Sequence, residues 1–161
     1  LGREIALRWA REGWQLALSD VSEPGLQETL KWVREAGGDG FTQRCDVRDY
    51  SQLTALAQAC EERLGGIDVV INNAGVASGG FFNELSLEDW DWQLSINLMG
   101  VIKGCKAFLP LLRASQGNDG SRAQRETSPT SLDRTHAPSL RGVTKVIKVT
   151  IGTLGRRVFC T

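Results

Sequence analysis

Gly2 stands directly ahead of Arg3-Glu4-Ile5-Ala6-Leu7-Arg8-Trp9-Ala10, a segment with apolar residues at helical spacing. A glycine at a helix entry lets a ligand come close to the backbone, and the first amides of a helix have no partner in their own turn. Leu1-Gly2 can therefore meet a phosphate. Asp20 follows 18 positions later, at the end of a short apolar run. That is close to the roughly 20 expected of an acid that accepts hydrogen bonds from ribose hydroxyls. An Asp after a strand also serves as an ordinary turn or cap residue. Asn72-Asn73-Ala74-Gly75 follows the β-branched run Ile67-Asp68-Val69-Val70-Ile71. Two amide side chains and a glycine at the carboxyl end of a buried strand suit a ligand crevice at the edge of an open sheet. Asn97 lies within a helical stretch, where Asn is a poor helix former. It reads equally as a packed or exposed polar residue.

These residues need elements to hold them, and the pattern supplies an alternation. A helix begins near residue 3, with Gly13 as its C-terminal cap. Residues 14–19 read as a strand, and Pro24-Gly25 punctuates the chain before a helix over about 25–36. Gly37-Gly38-Asp39-Gly40 breaks the chain ahead of a strand at 41–45. Residues 51–64 form a helix with Leu53, Leu56, Ala57 and Cys60 on one face, and 67–71 a buried parallel strand. One long helix or two joined ones cover 85–112, with Pro110 marking or kinking the last turn. Helices alternating with strands imply an α/β fold with a parallel sheet and crossover helices.

Composition narrows the classes. The chain has 19 basic and 19 acidic side chains, and 41% of its residues are hydrophobic. That suits one soluble domain. No apolar run approaches the roughly 18 residues of a membrane span and the first residues form no signal pattern, so a cytoplasmic protein is expected. Cys45, Cys60, Cys105 and Cys160 are far apart, with His136 the single histidine. Reduced, mostly buried thiols are expected, with neither a zinc site nor a disulfide framework. The zero net charge hides a break. Residues 1–116 hold 11 basic and 16 acidic side chains, net −5, and 117–161 hold 8 and 3, net +5. Ten of eleven aromatic residues lie in the first part. The reading is a partial nucleotide-binding domain over 1–116 and a divergent, irregular or disordered basic tail over 117–161, where only 143–149 could form a strand.

Taken together, Leu1-Gly2, Cys45-Asp46-Val47, Asn72-Asn73-Ala74-Gly75 and Ile96-Asn97-Leu98-Met99-Gly100 resemble, in order, motifs of the short-chain dehydrogenases/reductases. The resemblance covers about 1–117. It implies a Rossmann-like doubly wound sheet and an oxidoreductase that moves a hydride between a secondary alcohol and a ketone. Leu1-Gly2 resembles the end of the family's glycine-rich phosphate loop. Asp46 and Val47 resemble the adenine contact, Asp46 accepting from the amino group and Val47 lining the pocket. As residues they also read as a helix cap and a core position. Asn97 resembles the asparagine of the catalytic tetrad. Asp20 repels a 2′-phosphate and Val21 beside it offers no positive partner, so NAD is favoured over NADP. Phe81, Phe82, Trp90 and Trp92 could line a substrate cleft, although core or subunit contact is the commoner fate of such side chains.

The sequence departs from the pattern in two places. The family's phenol stands four residues before a lysine, yet the only tyrosine here is Tyr50, far upstream. The nearest imitation, Arg141-Gly142-Val143-Thr144-Lys145, has an arginine at the phenol's position, and arginine cannot shuttle a proton near neutral pH. These residues start within the phosphate loop, so the strand that precedes it in the family is expected to be missing from the sheet. In a sheet ordered 3-2-1-4 it lies between the strands read at 14–19 and 67–71, whose facing edges are then unpaired. Either the sheet re-pairs or the chain is marginally stable. The expectation is a family member without activity in these residues. A non-catalytic nucleotide-binding module is the alternative. Partners are a small alcohol or ketone, with neither nucleic acid nor membrane, because the tail's charges are scattered and no stacking aromatics accompany them. Pairing of two copies through the 85–112 helix stays open.

Overall fold

A computed structural model describes residues 1–117 and the strand at 146–150. In chain order the elements are α1 (Gly2–Arg11), β1 (Gln15–Asp20), α2 (Glu23–Glu35), β2 (Asp39–Arg44), α3 (Tyr50–Leu64), β3 (Val69–Ile71), α4 (Leu87–Asn97), α5 (Met99–Gly117) and β4 (Val146–Thr150). The fold is α/β and Rossmann-like. The four strands form one sheet ordered β2-β1-β4-β3, and every pairing is parallel.

Alternation along β1 separates two cores. Leu16 and Leu18, both fully buried, face Ala6 and Ala10 of α1 and Leu26, Leu30 and Val33 of α2. Ala17 faces the opposite layer, where Phe41, Leu53, Leu56, Ala57, Cys60 and Phe108 close over it. Each fully buried Leu or Phe contributes roughly 1.5–3 kcal/mol relative to exposure. The face read from sequence on α3 is thus the one that is buried. Arg3 ties the first layer together. Its guanidinium donates to Thr29 Oγ1 at 3.0 Å and to Glu28 at 2.7 Å, and it lies 4.4 Å above the Trp32 ring.

Several boundaries differ from the sequence reading. Pro24 and Gly25 lie inside the first turn of α2, because the Ser22 side chain caps that helix by accepting from the Gly25 amide. Proline is tolerated there since first-turn amides have no intrahelical acceptor. Gly13 follows the end of α1 with φ 78°, the left-handed conformation expected of a glycine after a helix. β2 begins at Asp39, inside the glycine-rich break, and Gly40 is what permits the pairing. A Cβ on Gly40 would fall 2.0 Å from the Leu16 carbonyl oxygen. Pro110 sits within α5, which continues to Gly117. Cys45 and Cys60 are buried, but Cys105 is exposed, and Cys160 lies outside the described residues. The stretch Leu87–Ser115 is, by length and composition alone, long and apolar enough to cross a membrane, contrary to the sequence reading. Phe108 of that stretch is fully buried against the α3 layer.

The largest difference is in the sheet. The tail, read as irregular apart from a possible strand at 143–149, contributes β4. That strand pairs with β1 from Gln15 opposite Val146 to Ser19 opposite Thr150, and with β3 from Val69 opposite Ile147 to Ile71 opposite Val149. The two edges expected to be unpaired are satisfied by the chain's own tail. The pairing follows from the cost of leaving backbone donors and acceptors without partners in the middle of a sheet.

Candidate functional site

The carboxyl ends of β1 and β3, the N-terminus of α1 and the α4–α5 junction gather most of the residues singled out from sequence. Leu1 is the N-cap of α1 and 89% exposed, while Gly2 is buried as the first helical residue. The Ile5 amide donates to the Leu1 carbonyl, so the helix's own ladder starts there and the preceding amides lie ahead of it. No side chain among the described residues caps this helix. At the end of β1, Asp20 is 4% exposed, and its Oδ1 accepts from the Ser22 amide at 2.9 Å. Val21 beside it is half-exposed.

Asp46 and Val47 follow β2. The Asp46 carboxylate is gripped by Arg48, whose Nε lies 3.0 Å from both oxygens and whose terminal nitrogen lies 2.6 Å from Oδ2; the Arg48 amide adds a bond at 2.9 Å. The guanidinium holds the Asp46 carboxyl below its usual range, chiefly through the side-chain hydrogen bond, against the opposing effect of burial. Lys103 of α5 donates to the Arg48 carbonyl and ties this turn to the helix. The Asp46 amide donates to Gln52 Oε1, while Asp49, not Asp46, caps α3. Val47 is a core residue, and a Cβ on Gly100 would fall 2.7 Å from its Cγ2. Gly100 is what lets α5 start so close.

The segment after β3 runs through Asn72, Asn73, Ala74 and Gly75 to Val76, and α4 holds it by side-chain amides. Asn97 Oδ1 accepts from the Val76 amide at 2.9 Å, and Asn97 Nδ2 donates to the Val76 carbonyl at 2.8 Å. This two-way clasp copies one rung of a β-ladder. Gln93, one turn earlier on α4, accepts from the Ser78 amide at 3.3 Å. Asn97 is the last residue of α4, not a mid-helix residue: the helix ends at Leu98 and α5 restarts at Met99. Asn72 reaches α5, where its Nδ2 lies 3.6 Å from Cys105 Sγ and a Cβ on Gly104 would fall 2.3 Å from its Oδ1. An open cleft of about 400 Å³ is lined by Asn72, Ala74, Gly75, Val76, Ala77, Asn97 and Val101.

Geometry thus brings Asn72, Ala74, Gly75 and Asn97 to one cleft, while Leu1, Gly2, Asp20, Val21, Asp46, Val47 and Asn73 do not line it. Val76, Ala77 and Val101 line it without having been read from sequence, since a valine or alanine after a glycine-rich loop carries no chemical signature. Gln93 and Arg48 were missed as well. For Arg48 a signal existed, a cation two residues after a carboxylate. Phe81 and Phe82 are 76% and 81% exposed, with the Phe82 ring 5.8 Å from that of Trp90 and tilted by 52° to it. Neither Phe81 nor Phe82 enters the core or the cleft. Tyr50, half-exposed, is the first residue of α3.

A parallel sheet with helices on both faces, an uncapped helix N-terminus at its central strands and an asparagine-held loop at its carboxyl edge define a class of nucleotide-binding α/β folds. The short chain dehydrogenase family matches residues 1–121, and the chain belongs to that family of oxidoreductases. It is 37% identical over 108 residues to the probable oxidoreductase EphD of Mycobacterium bovis, covering 67% of this chain and 18% of that protein. It is 32% identical to D-threitol dehydrogenase of Mycolicibacterium smegmatis, covering 98% of this chain and 61% of that one. An NADH-dependent reductase solved with NAD superposes with a TM-score of 0.67 at 31% identity, covering 74% of this chain and 50% of the reductase. The chain spans less than two thirds of the length of each.

Proposed function

We propose that the chain provides the dinucleotide half of a nicotinamide-dependent oxidoreductase site, with NAD favoured over NADP, for hydride transfer between a secondary alcohol and a ketone. The observation that carries the reading is the Asn97 clasp, which fixes the 72–76 segment as one wall of a cleft at the carboxyl edge of the sheet. The donor set suits a dinucleotide. Helix N-terminal amides at Leu1-Gly2 suit a pyrophosphate. The Asp20 carboxylate suits ribose hydroxyls and disfavours a 2′-phosphate, with Val21 supplying no cation. Asp46 would accept from the adenine amino group with Val47 beneath the ring, which requires Arg48 to share or yield the carboxylate. Asn72, Ala74 and Gly75, with Asn73 within the same segment, supply the wall on the side where chemistry would occur, and Asn97 acts as a positioning residue through Val76. The chemistry that NAD would supply there is the acceptance of a hydride.

A phenol–lysine pair is what moves the substrate proton in this family, and these 161 residues contain none. We therefore infer binding without turnover in this chain. A cytoplasmic setting and a small alcohol or ketone as partner belong to the same proposal. The test is a thermal melt of the 161-residue chain with and without millimolar NAD, paired with an assay for NADH formation on secondary alcohols. NAD at about 100 times its Kd stabilises a folded receptor by about 2.7 kcal/mol. A raised Tm that Asp20→Ala abolishes, with no NADH formed, is expected. A cooperative melt indifferent to NAD refutes the binding site, and turnover refutes the inactivity.

A further inference from the structure

β4 holds the most demanding position in the sheet, paired on both edges between β1 and β3. Strands in such positions are buried on both faces and are rich in Val, Ile and Leu. The register sets Ile147 opposite Leu16 and Val69, and Val149 opposite Leu18 and Ile71, all apolar. Between them, Lys148 stands opposite Ala17 and Val70, positions whose own side chains join the core under α3 and α5. Lysine departs from the near-continuous Val/Ile/Leu composition of strands paired on both edges of a parallel sheet.

The face on which α5 lies points the same way. The step from β1 to β2 carries α2 on one face, and the step from β2 to β3 runs the other way with α3 on the opposite face, so both crossovers have the same hand. The step from β3 back to β4 carries α5 on the α3 face but runs towards β1. A crossover completed on the α5 face in that direction would have the opposite hand, the left-handed one that parallel crossovers avoid in about 98% of cases. The tether does not dictate this seat. α5 ends at the amino end of the sheet, where the Ser115 hydroxyl donates to the Ile67 carbonyl at 2.8 Å, and β4 starts at that same end. A gap on the order of 10 Å between layers is joined by the 28 residues 118–145, which extended would reach about 90 Å.

We propose that the gap between β1 and β3 is a strand-acceptor site that binds, in trans, an extended β-branched apolar peptide, parallel to both strands and uncharged at its centre, with β4 as its replaceable occupant. The recognition chemistry is β-augmentation from two edges at once: main-chain bonds supply affinity, and alternate side chains enter the Leu16–Leu18 and Ala17 layers. β4 competes as a tethered ligand at an effective concentration in the millimolar range. A trans peptide therefore succeeds only if its fit is better.

The test uses the full 161-residue chain and a labelled ten-residue peptide copying 144–153 with Lys148→Val. Saturable binding below 1 mM is expected, together with at least a tenfold loss of hydrogen-exchange protection at the amides of 146–150 while those of 15–19 stay protected. The same peptide with proline at its centre cannot complete the ladder and is expected not to bind. Introducing Lys148→Val into the chain improves the resident strand and is expected to weaken peptide binding at least tenfold. No binding at 1 mM overturns the proposal. So does binding that leaves the 146–150 amides protected, since the peptide is then elsewhere, or equal binding of the proline peptide.

Discussion

Asn97→Ala removes the clasp on the 72–76 segment and leaves the surrounding packing nearly intact. Two hydrogen bonds are lost, one from the Val76 amide at 2.9 Å and one to the Val76 carbonyl at 2.8 Å. Each neutral bond contributes about 0.5–1.5 kcal/mol net. Both are exposed to water, which replaces them in part, so the lower half of the summed range applies, about 1–2 kcal/mol. No buried apolar group is deleted, and Val76 leads a loop rather than a sheet strand. The loss therefore falls on local opening of the segment and not on global unfolding. At 1.4 kcal/mol per factor of ten, exchange of the Val76 amide is expected to accelerate about 5- to 30-fold. The amides of β1 keep their rates once corrected for the small change in global stability. Hydrogen exchange resolved at single amides is the assay. An unchanged Val76 rate, or an acceleration spread equally over Val76 and β1, would mean that Asn97 does not hold this loop and that the cleft is shaped by something else.

Other perturbations probe the scaffold and the charges. Phe108→Ala empties the centre of the α3–α5 layer and is expected to cost about 3–5 kcal/mol in urea unfolding; a loss below 1 kcal/mol would contradict its placement. Gly104→Ala sets a methyl 2.3 Å from Asn72 Oδ1, so the Asn72 side chain must turn away from Cys105; because alanine also favours a helix interior over glycine by about 0.5–1 kcal/mol, a net loss below about 1 kcal/mol is expected, checked by the same unfolding curves. The folded Asp46 carboxyl titrates below its unfolded value because of Arg48. The pair therefore stabilises the fold above about pH 4 and loses that contribution as pH falls through the lowered folded value. Arg48 is half-exposed, so Arg48→Ala is expected to cost at most about 1 kcal/mol at pH 7. The gap from the parent chain should narrow as pH falls below about 4, and a gap independent of pH argues against the ion pair. Ser86→Ala breaks a reciprocal capping box with Asp89. It is expected to cost about 0.5–2 kcal/mol, read as fraying of the first turn of α4.

What the sequence determined lies in residues whose neighbours are close along the chain. Leu53, Leu56, Ala57 and Cys60 share a face by helical spacing alone, and they are the buried face of α3. The alternation of helices and strands, the Gly13 cap and the family motifs were legible for the same reason, because period, cap and motif are local properties. The boundary of α2 was misread since Pro and Gly mark breaks as readily as they open a helix, and only the Ser22 cap decides between the two. At the cleft, the amides of Asn72 and Asn97 drew attention as chemistry. That Asn97 spends both of its polar atoms on Val76, 21 residues away, could not be read from spacing. Arg48's hold on Asp46 needed the turn geometry to bring them into contact.

Tertiary structure alone decided which strand fills the middle of the sheet. Residues 143–149 carry a weak strand signal, no stronger than that of many exposed segments, and nothing in their pattern names a partner. β1 and β3 each present a row of backbone donors and acceptors towards the other. Satisfying both rows together outweighs what the tail's own sequence prefers, so a segment distant in the chain and basic in character takes the central seat.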